Sequence, residues 1–408
     1  MTIREQVKDK RVLIWGYGRE GKSSEKYLNE YCECKTVSVF EGKVEEINRN
    51  EYDIILKSPG IILDDDDPIF SSQTELFLEE FGAQVIGITG TKGKSTTSAM
   101  MAHVLEACTG RPVILLGNIG LPCFDYCSEI ASDTIIVFEM SCHQLKHNQV
   151  SPHVGIFLNL FEEHLDYYGT MEAYFKAKSN VAAHMSTNDY YFCGENVPGF
   201  ETAAKKKVIT KADIVPVSLR IYGEHNMLNA AFVRVVAKEV YSCEDDAIDL
   251  AMMDFQGLPH RLQSIGKYVG INWYDDSIST IPEAAISAIE SLPNIKTILI
   301  GGMDRGISYD ILVKYMTENK SVQYICMYES GDRILNELTA YLAEKGQKLP
   351  GYIYRVPDLE SAVHLAADIT PEGMGCVLSP AAASYGYFKN FEERGEVFAG
   401  YVKEIVLD

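Results

Sequence analysis

The stretch Gln84-Val85-Ile86-Gly87-Ile88-Thr89-Gly90-Thr91-Lys92-Gly93-Lys94-Ser95-Thr96-Thr97 decides how the rest of the chain is read. Residues Gln84–Ile88 are a short apolar run and predict a strand. Glycines, lysines and hydroxyl residues follow, and then a helical run of Ala, Met, Val and Leu. A strand, a glycine turn and a helix together surround a phosphate with backbone N–H groups and a helix N-terminus. Lys94 can reach the β- and γ-phosphates, and the Ser95 hydroxyl can ligate Mg2+. The spacing differs from GxxxxGK[ST], because the residue five before Gly93 is Ile88. The plainer reading is a glycine-rich turn with a solvated lysine; the strand–loop–helix context speaks against it.

Upstream, Arg11–Trp15 predicts a strand, followed by Gly16-Tyr17-Gly18-Arg19-Glu20-Gly21 and an amphipathic helix. Thr36–Phe40 and Tyr52–Leu56 predict two more strands, the last ending at Lys57-Ser58-Pro59-Gly60. A GxGxxG string is weak alone. Its bland meaning is a tight strand-to-helix turn. Its functional meaning is a pyrophosphate site with Glu41 on a ribose, and any nucleotide diphosphate satisfies that geometry. Downstream, Pro112–Leu116, Thr134–Phe138 and Val154–Leu158 predict strands alternating with helices. A last group follows Gly257-Leu258-Pro259-His260-Arg261, with strands at Thr297–Ile300, Tyr324–Met327 and Cys376–Leu378. The expectation is an α/β protein of three domains: Rossmann-like over 1–82, a P-loop ATPase-type parallel sheet over 83–258, and Rossmann-like again over 259–408.

Composition narrows the function. The chain has 408 residues and a net charge of −21, with 46% hydrophobic and 23% charged residues. That is ordinary for a globular protein and unsuited to a broad nucleic-acid surface. No apolar run reaches the roughly 20 residues of a membrane helix, and the N-terminus lacks the apolar core of a signal peptide. The 10 cysteines form no framework and read as reduced thiols of a cytoplasmic protein.

Three further residues carry potential chemistry. Glu139 ends the strand Ile135–Phe138, where a carboxylate beside a phosphate loop can hold Mg2+ directly or through water. His164 lies in Asn159-Leu160-Phe161-Glu162-Glu163-His164-Leu165-Asp166, after another apolar strand; it can be a ligand or a structural histidine. Lys178 sits on a helical stretch, Glu172–Lys178, and by itself reads as a surface lysine.

Together these strings resemble the Mur ligase family of ATP-dependent amide-forming enzymes. The likeness runs through Thr89–Thr96, Gly117-Asn118-Ile119-Gly120, Glu139-Met140-Ser141, Asn159–Asp166, Gly223–Asn229, Leu258–Arg261 and Asp276-Ser277. Lys57-Ser58-Pro59-Gly60-Ile61, Leu378–Ser384 and Phe388–Gly395 are similar to the glutamate-adding branch. The resemblance implies a monomer that activates UDP-N-acetylmuramoyl-L-alanine with ATP and joins it to glutamate. It implies ATP contacts at Gly90, Thr91, Lys92, Gly93, Lys94, Ser95, Thr96, Asn229, Arg261 and Asp276. Two Mg2+ ions would be held by Ser95, Glu139, His164 and a carbamylated Lys178, with Lys94, His164 and Lys178 as catalytic residues. The uridine-diphosphate substrate would lie at Gly18, Arg19, Glu20, Glu41, Ser58 and Asn118, and the incoming glutamate at Thr280, Arg305, Ser384 and Phe391.

The chain departs from that branch at three places. Asp276-Ser277-Ile278-Ser279-Thr280-Ile281 stands where Asp-Ser-Lys-Ala-Thr-Asn is usual. Arg305 replaces a lysine, and Cys142-His143 replaces Ser-Phe. The first two changes touch the amino-acid end and raise L-glutamate as an alternative to D-glutamate. A nicotinamide-dependent dehydrogenase is the reading from another class, but it leaves the phosphate loop and His164 unexplained. A partner-dependent ligase subunit would carry a cysteine-rich insertion, which the sequence lacks. The glycine-rich first domain and the Ser-Pro-Gly-Ile loop argue against a folate-polyglutamylating relative.

Overall fold

Three sheets organise the chain in the computed structural model, which describes residues 1–63, 67–221 and 223–405. The first contains β1 (Arg11–Trp15), β2 (Thr36–Phe40), β3 (Ile54–Lys57) and β4 (Phe70–Ser71), in the order β2-β1-β3-β4 and all parallel. Parallel strands need both faces covered, and these residues supply both. Val12 and Ile14 of β1, with Ile54 and Leu56 of β3, enter one apolar cluster. Leu13, Trp15 and Ile55 enter another.

The second sheet holds β5 (Val85–Thr89), β6 (Val113–Gly117), β7 (Ile135–Glu139), β8 (Val154–Phe157), β9 (Tyr190–Gly194) and β10 (Lys205–Ile209). Its order is β10-β9-β8-β5-β7-β6, again parallel. β5 lies between β7 and β8, so the loops leaving all three emerge side by side at their carboxyl ends. In open α/β sheets such a reversal of strand order makes the binding crevice. The glycine string, Glu139 and Asn159 are on these three loops.

The third sheet comprises β11 (Gln263–Tyr268), β12 (Ile271–Asp275), β13 (Ile295–Ile300), β14 (Gln323–Cys326), β15 (Ile353–Arg355) and β16 (Gly375–Leu378), ordered β11-β12-β16-β13-β14-β15. Only the β11/β12 pair is antiparallel. Alternate residues bury to opposite faces: Tyr274, Ile298, Ile300, Tyr324, Cys326 and Val377 on one, Trp273, Leu299, Ile325, Cys376 and Leu378 on the other. The first two sheets belong to one compact unit, Met1–Leu219 with Glu224–Phe255, and the third to another, Gln256–Asp408 with Arg220–Gly223.

The mixed α/β class and its parallel sheets match the sequence reading. Strand limits shift by one or two residues; β3, for example, begins at Ile54 rather than Tyr52. The strands β4, β9, β10, β11, β12 and β15 have no counterpart in the sequence reading. β10 (Lys-Lys-Lys-Val-Ile) is an edge strand, where exposed lysines guard an open ladder. All 10 cysteines are free thiols, as expected. Lys178 is the correction. It is 1% exposed rather than on the surface, because the helix Met171–Ser179 turns that side toward the glycine loop.

Gly21 shows how closely the first turn is packed. A Cβ there would lie 2.2 Å from the Gly16 carbonyl oxygen. Gly21→Ala must push the helix Arg19–Tyr31 off β1, at a cost of about 1–3 kcal/mol. Urea unfolding checks this; an unchanged midpoint would show that the helix start is not held against Gly16.

Candidate functional site

Backbone geometry builds the glycine loop first. Gly90 and Gly93 have φ of 155° and 85°, and Gly93 is the N-cap of the helix Lys94–Thr109. Such φ values strain any residue with a Cβ. At Gly93 a Cβ would also meet Asn229 Oδ1 at 2.8 Å. Asn229, buried on the helix Glu224–Glu239, thus lies against the loop.

The loop is bolted to the end of β8. Thr91 N–H donates to the Asn159 carbonyl (3.0 Å), and Lys92 N–H to Asn159 Oδ1 (2.9 Å). Asn159 Nδ2 returns a bond to the Lys92 carbonyl (3.0 Å), and Phe161 N–H donates to Thr91 Oγ1 (2.9 Å). Lys92 itself is exposed and paired with Glu163 at 2.7 Å. Ser95 and Thr96 open the helix half-buried.

Two amines converge on the same loop. Lys94 Nζ donates to the carbonyls of Gly90 and Thr91, both at 3.0 Å. Lys178 Nζ donates to the Gly90 carbonyl (2.8 Å) and lies over the Tyr174 ring at 4.8 Å. Burial lowers the pKa of both, Lys178 to about 7, and Lys94 pushes Lys178 further the same way. Glu139, 1% exposed, accepts a bond from Asn118 Nδ2 at Oε1 (2.8 Å). Its Oε2 is buried and has no hydrogen-bond partner. An unpaired buried carboxylate oxygen at the mouth of a phosphate loop is what a bound cation would satisfy. This one oxygen fits a cation at Glu139, with no cluster of three or more His, Cys, Asp or Glu around it among the described residues, whereas an ammonium at Lys178 repels a cation and fits only once converted to an anion.

His164 is exposed at φ 57°, the N-cap of the short helix Leu165–Tyr168. Its ring meets His143 edge-on with centroids 5.1 Å apart, and Tyr174 at 6.0 Å. His143 also packs on Tyr167 at 4.4 Å, and burial pulls its pKa down to about 4. His143 and Tyr174 were not picked out as site residues; one reads as a substitution and the other as a helix core residue until the fold assembles them.

Of the uridine-end candidates, Gly18, Arg19 and Glu20 occupy the first turn and Ser58 follows β3 beside it, whereas Asn118 follows β6 and is bonded to Glu139 instead. Ser58 Oγ donates to the Gly16 carbonyl (2.9 Å), and Gly18 caps the helix beginning at Arg19. Arg19 Nη2 reaches the Gly120 carbonyl at 2.6 Å. Glu20 accepts from Gln144 Nε2 (2.8 Å), and burial raises its pKa. Gln144 in turn closes a capping box with Ser141. That Ser-x-x-Gln spacing after a strand is a legible signal that the sequence reading passed over. Buried Lys57 donates to the Ser58 and Ile61 carbonyls, and burial lowers its pKa to about 8. Glu41 is exposed at the end of β2.

In the second unit, adjacent strands β12, β16 and β13 deliver the remaining candidates. Asp276 is buried. It accepts from Leu262 N–H at 3.1 Å, Ser279 Oγ at 2.5 Å and Ser379 Oγ at 2.8 Å. Burial lifts its pKa to about 6. Arg305 Nη2 donates to the Thr280 carbonyl (2.9 Å), and Met303 N–H to the Ala383 carbonyl (2.9 Å), next to buried Ser384. The Phe391 carbonyl accepts from Ser277 Oγ (2.8 Å). Arg394, fully buried, binds Ser277 Oγ and the Ser277 and Ala382 carbonyls. Arg261 is exposed beside His260, whose Nδ1 is 2.7 Å from Asp275. Thr280, Arg305, Ser384 and Phe391 thus come from three loops tied directly together.

The Mur ligase middle domain family matches residues 88–210. The UDP-N-acetylmuramoylalanine–D-glutamate ligase of Streptococcus agalactiae serotype III is 31% identical, with 96% of each chain covered. The enzyme of the same name from Enterococcus hirae is 31% identical over 98% of this chain and 97% of its own. Among solved structures, the MurF ligase of Thermotoga maritima in complex with ADP aligns with a TM-score of 0.59 at 18% identity, over 98% of this chain and 97% of its own. The UDP-N-acetylmuramate–alanine ligase MurC of Thermotoga maritima aligns at 0.58 with 16% identity, over 97% of this chain and 100% of its own. These structures share the fold.

Asp276 gives a test that needs no substrate. Its pKa rises from 3.8 to about 6 on folding, so the native state keeps a proton that the unfolded chain releases. The sign follows: from about pH 4 to about pH 6 this group makes stability fall as pH rises. Asp276→Asn should flatten that part of the profile, measured by urea unfolding at successive pH values. An unaltered profile would show that Asp276 titrates normally.

Proposed function

This chain belongs to the Mur ligase family, and from that premise we propose how its residues carry out the chemistry of the branch it matches. The enzyme is an ATP-dependent acid–amino-acid ligase of peptidoglycan precursor synthesis. It joins UDP-N-acetylmuramoyl-L-alanine to D-glutamate. The relatives' names favour neither the L-glutamate nor the dehydrogenase alternative. The observation that carries the residue-level reading is the buried, unpaired oxygen of Glu139 beside a phosphate loop holding two lysines.

A carboxylate is a poor acyl donor. An oxygen of the alanyl carboxylate attacks the γ-phosphorus of ATP, the bond to ADP breaks, and an acyl phosphate forms. The glutamate nitrogen then attacks the carbonyl carbon and loses a proton, and inorganic phosphate leaves. The loop Gly90–Thr96 cradles the phosphates, with the N–H groups of Thr91 and Lys92 given to Asn159 and those from Gly93 to Thr96 turned to phosphate oxygens, and Lys94 exchanges its loop carbonyls for phosphoryl oxygens. Asn229, Arg261 and Asp276 complete the ATP contacts. Gly18, Arg19, Glu20, Glu41, Ser58 and Asn118 hold the uridine-diphosphate substrate. Thr280, Arg305, Ser384 and Phe391 orient glutamate so that its amine meets the acyl phosphate. Ser95, Glu139, His164 and carbamylated Lys178 would hold two Mg2+ ions. When bound, these supply positive charge to the phosphoryl oxygens.

Carbamylation follows from the Lys178 environment. With a pKa of about 7, much of the amine is neutral at neutral pH, and a neutral amine adds CO2 and releases a proton to give an anionic oxygen donor. Three functional domains divide the labour: 1–82 for the uridine-diphosphate substrate, 83–258 for ATP and 259–408 for the amino acid. Free thiols and nucleotide substrates suit the cytoplasm. One chain supplies every residue invoked, so a monomer suffices.

Three measurements test this reading. Phosphate release with ATP, Mg2+ and UDP-N-acetylmuramoyl-L-alanine should require D-glutamate. Turnover with L-glutamate alone would overturn the isomer assignment, and silence with both would overturn the substrate pair. Lys178→Ala should lose most activity without rescue by added CO2, whereas a small carboxylic acid should restore part of it. Labelling with 13C-bicarbonate should give a carbamate signal that this variant lacks. Near-normal turnover of the variant would remove the carbamate role.

A further inference from the structure

We propose that Arg333 is a positioning residue for the incoming amino acid, acting through Arg305. This rests on the reading that Arg305 faces the glutamate carboxylates. Arg333 belongs to the helix Tyr328–Glu344, which follows β14, and no motif marks it. Its guanidinium brackets the short turn that carries Arg305. Nη1 donates to Asp304 Oδ1 at 2.7 Å, directly before Arg305, and Nη2 donates to the Ile307 carbonyl, two residues after it. Gly306 N–H also donates to Asp304 Oδ1 (2.9 Å), so the turn closes on the same carboxylate.

The guanidinium is itself held. It lies 4.7 Å from the centroid of the Tyr309 ring, and its Nε is 3.0 Å from Glu337 Oε1, an ion pair without hydrogen-bond alignment. Tyr309 is 1% exposed, and its hydroxyl donates to the Ala381 carbonyl at 3.3 Å. The loop after β16 therefore fixes the plane of Arg333, and Arg333 fixes the loop after β13. Arg305 is left exposed, with one nitrogen on the Thr280 carbonyl.

Charge gives this arrangement its purpose. Asp304 is a carboxylate beside the one cation of the turn. Released, it can pair with Arg305 or repel a substrate that carries two carboxylates. Held by Arg333, it does neither, and the fork geometry of arginine holds the carboxylate and a backbone carbonyl at once, which lysine cannot match.

Steady-state kinetics of the full chain with four variants test the proposal. Arg333→Ala should raise the KM for glutamate about tenfold, with the KM for ATP within about twofold of its starting value. Arg333→Lys should fall between. Adding Asp304→Asn to Arg333→Ala should recover most of the loss, because the competing carboxylate is gone; a simple packing defect would not be repaired this way. A normal glutamate KM in Arg333→Ala, while Arg305→Ala raises it, overturns the role of Arg333. So does an equal rise for ATP and glutamate, or a double variant no better than the single. A normal glutamate KM in Arg305→Ala removes Arg305 from the amino-acid site, which is failure of the underlying reading.

Discussion

The lock between the glycine loop and Asn159 is the constraint on which the nucleotide end of the molecule depends. A loop rich in glycine has many conformations, and fixing each residue costs roughly 1–2 kcal/mol of backbone entropy. Asn159 meets that cost with its carbonyl, side-chain oxygen and side-chain amide, all bonded to Thr91 or Lys92. These bonds form only because β8 runs parallel and next to β5, with Thr89 registered against Phe157. Once the loop is fixed, the Gly90 carbonyl becomes an anchor for both Lys94 and Lys178. Position at the site is thus inherited from strand register.

The same logic governs the second unit. β16 lies between β12 and β13, so three carboxyl-end loops are neighbours. Arg394 and Ser277 stitch the first to the second, and Met303 with Ala383 stitches the second to the third. A net charge of −21 sets the field of the whole surface, but the glycine loop responds to local groups, Lys94 and Lys178 with Glu139 and Glu163 near them. Two lysines and a set of backbone N–H groups at short range outweigh distant acidic residues, which salt screens beyond about 10 Å.

Much of this was legible in the sequence, and the limits are physical. Strands buried on both faces announce themselves as apolar runs, so β1, β5, β7, β8 and β13 could be read directly. β10 begins with three lysines and β4 has two residues, so neither carries a burial pattern. Glu139 and Lys94 were found because they adjoin strand ends and glycine turns. Lys178 required the family likeness, since nothing within its own helix distinguishes an inward-turned lysine from a solvated one. Arg333 had no signal at all. Apart from Glu337 on its own helix, its partners Asp304, Ile307 and Tyr309 come from another segment, and their meeting is a product of the β13/β14 pairing.

Buried charge separates what the site needs from what the fold needs. Glu139, Lys178, Asp276 and Arg394 are each almost fully buried, and the hydrogen bonds they make go to neutral partners rather than an opposite charge; Glu139 leaves one oxygen without any. Desolvation makes such groups unfavourable, and apolar residues of similar shape would cost less. The molecule keeps them where loops converge at the carboxyl ends of parallel strands, not in the apolar layers between sheet and helix. An unpaired carboxylate oxygen, an amine with a pKa near 7 and an acid near 6 are the kind of perturbed groups that functional sites gather, which is the physical ground of the proposed reading. Arg394 differs, because all three of its bonds go to the loops it joins, so its charge is spent on holding their shape. The burial of these four groups therefore marks the two candidate sites, the glycine loop of the first unit and the joined loops of the second.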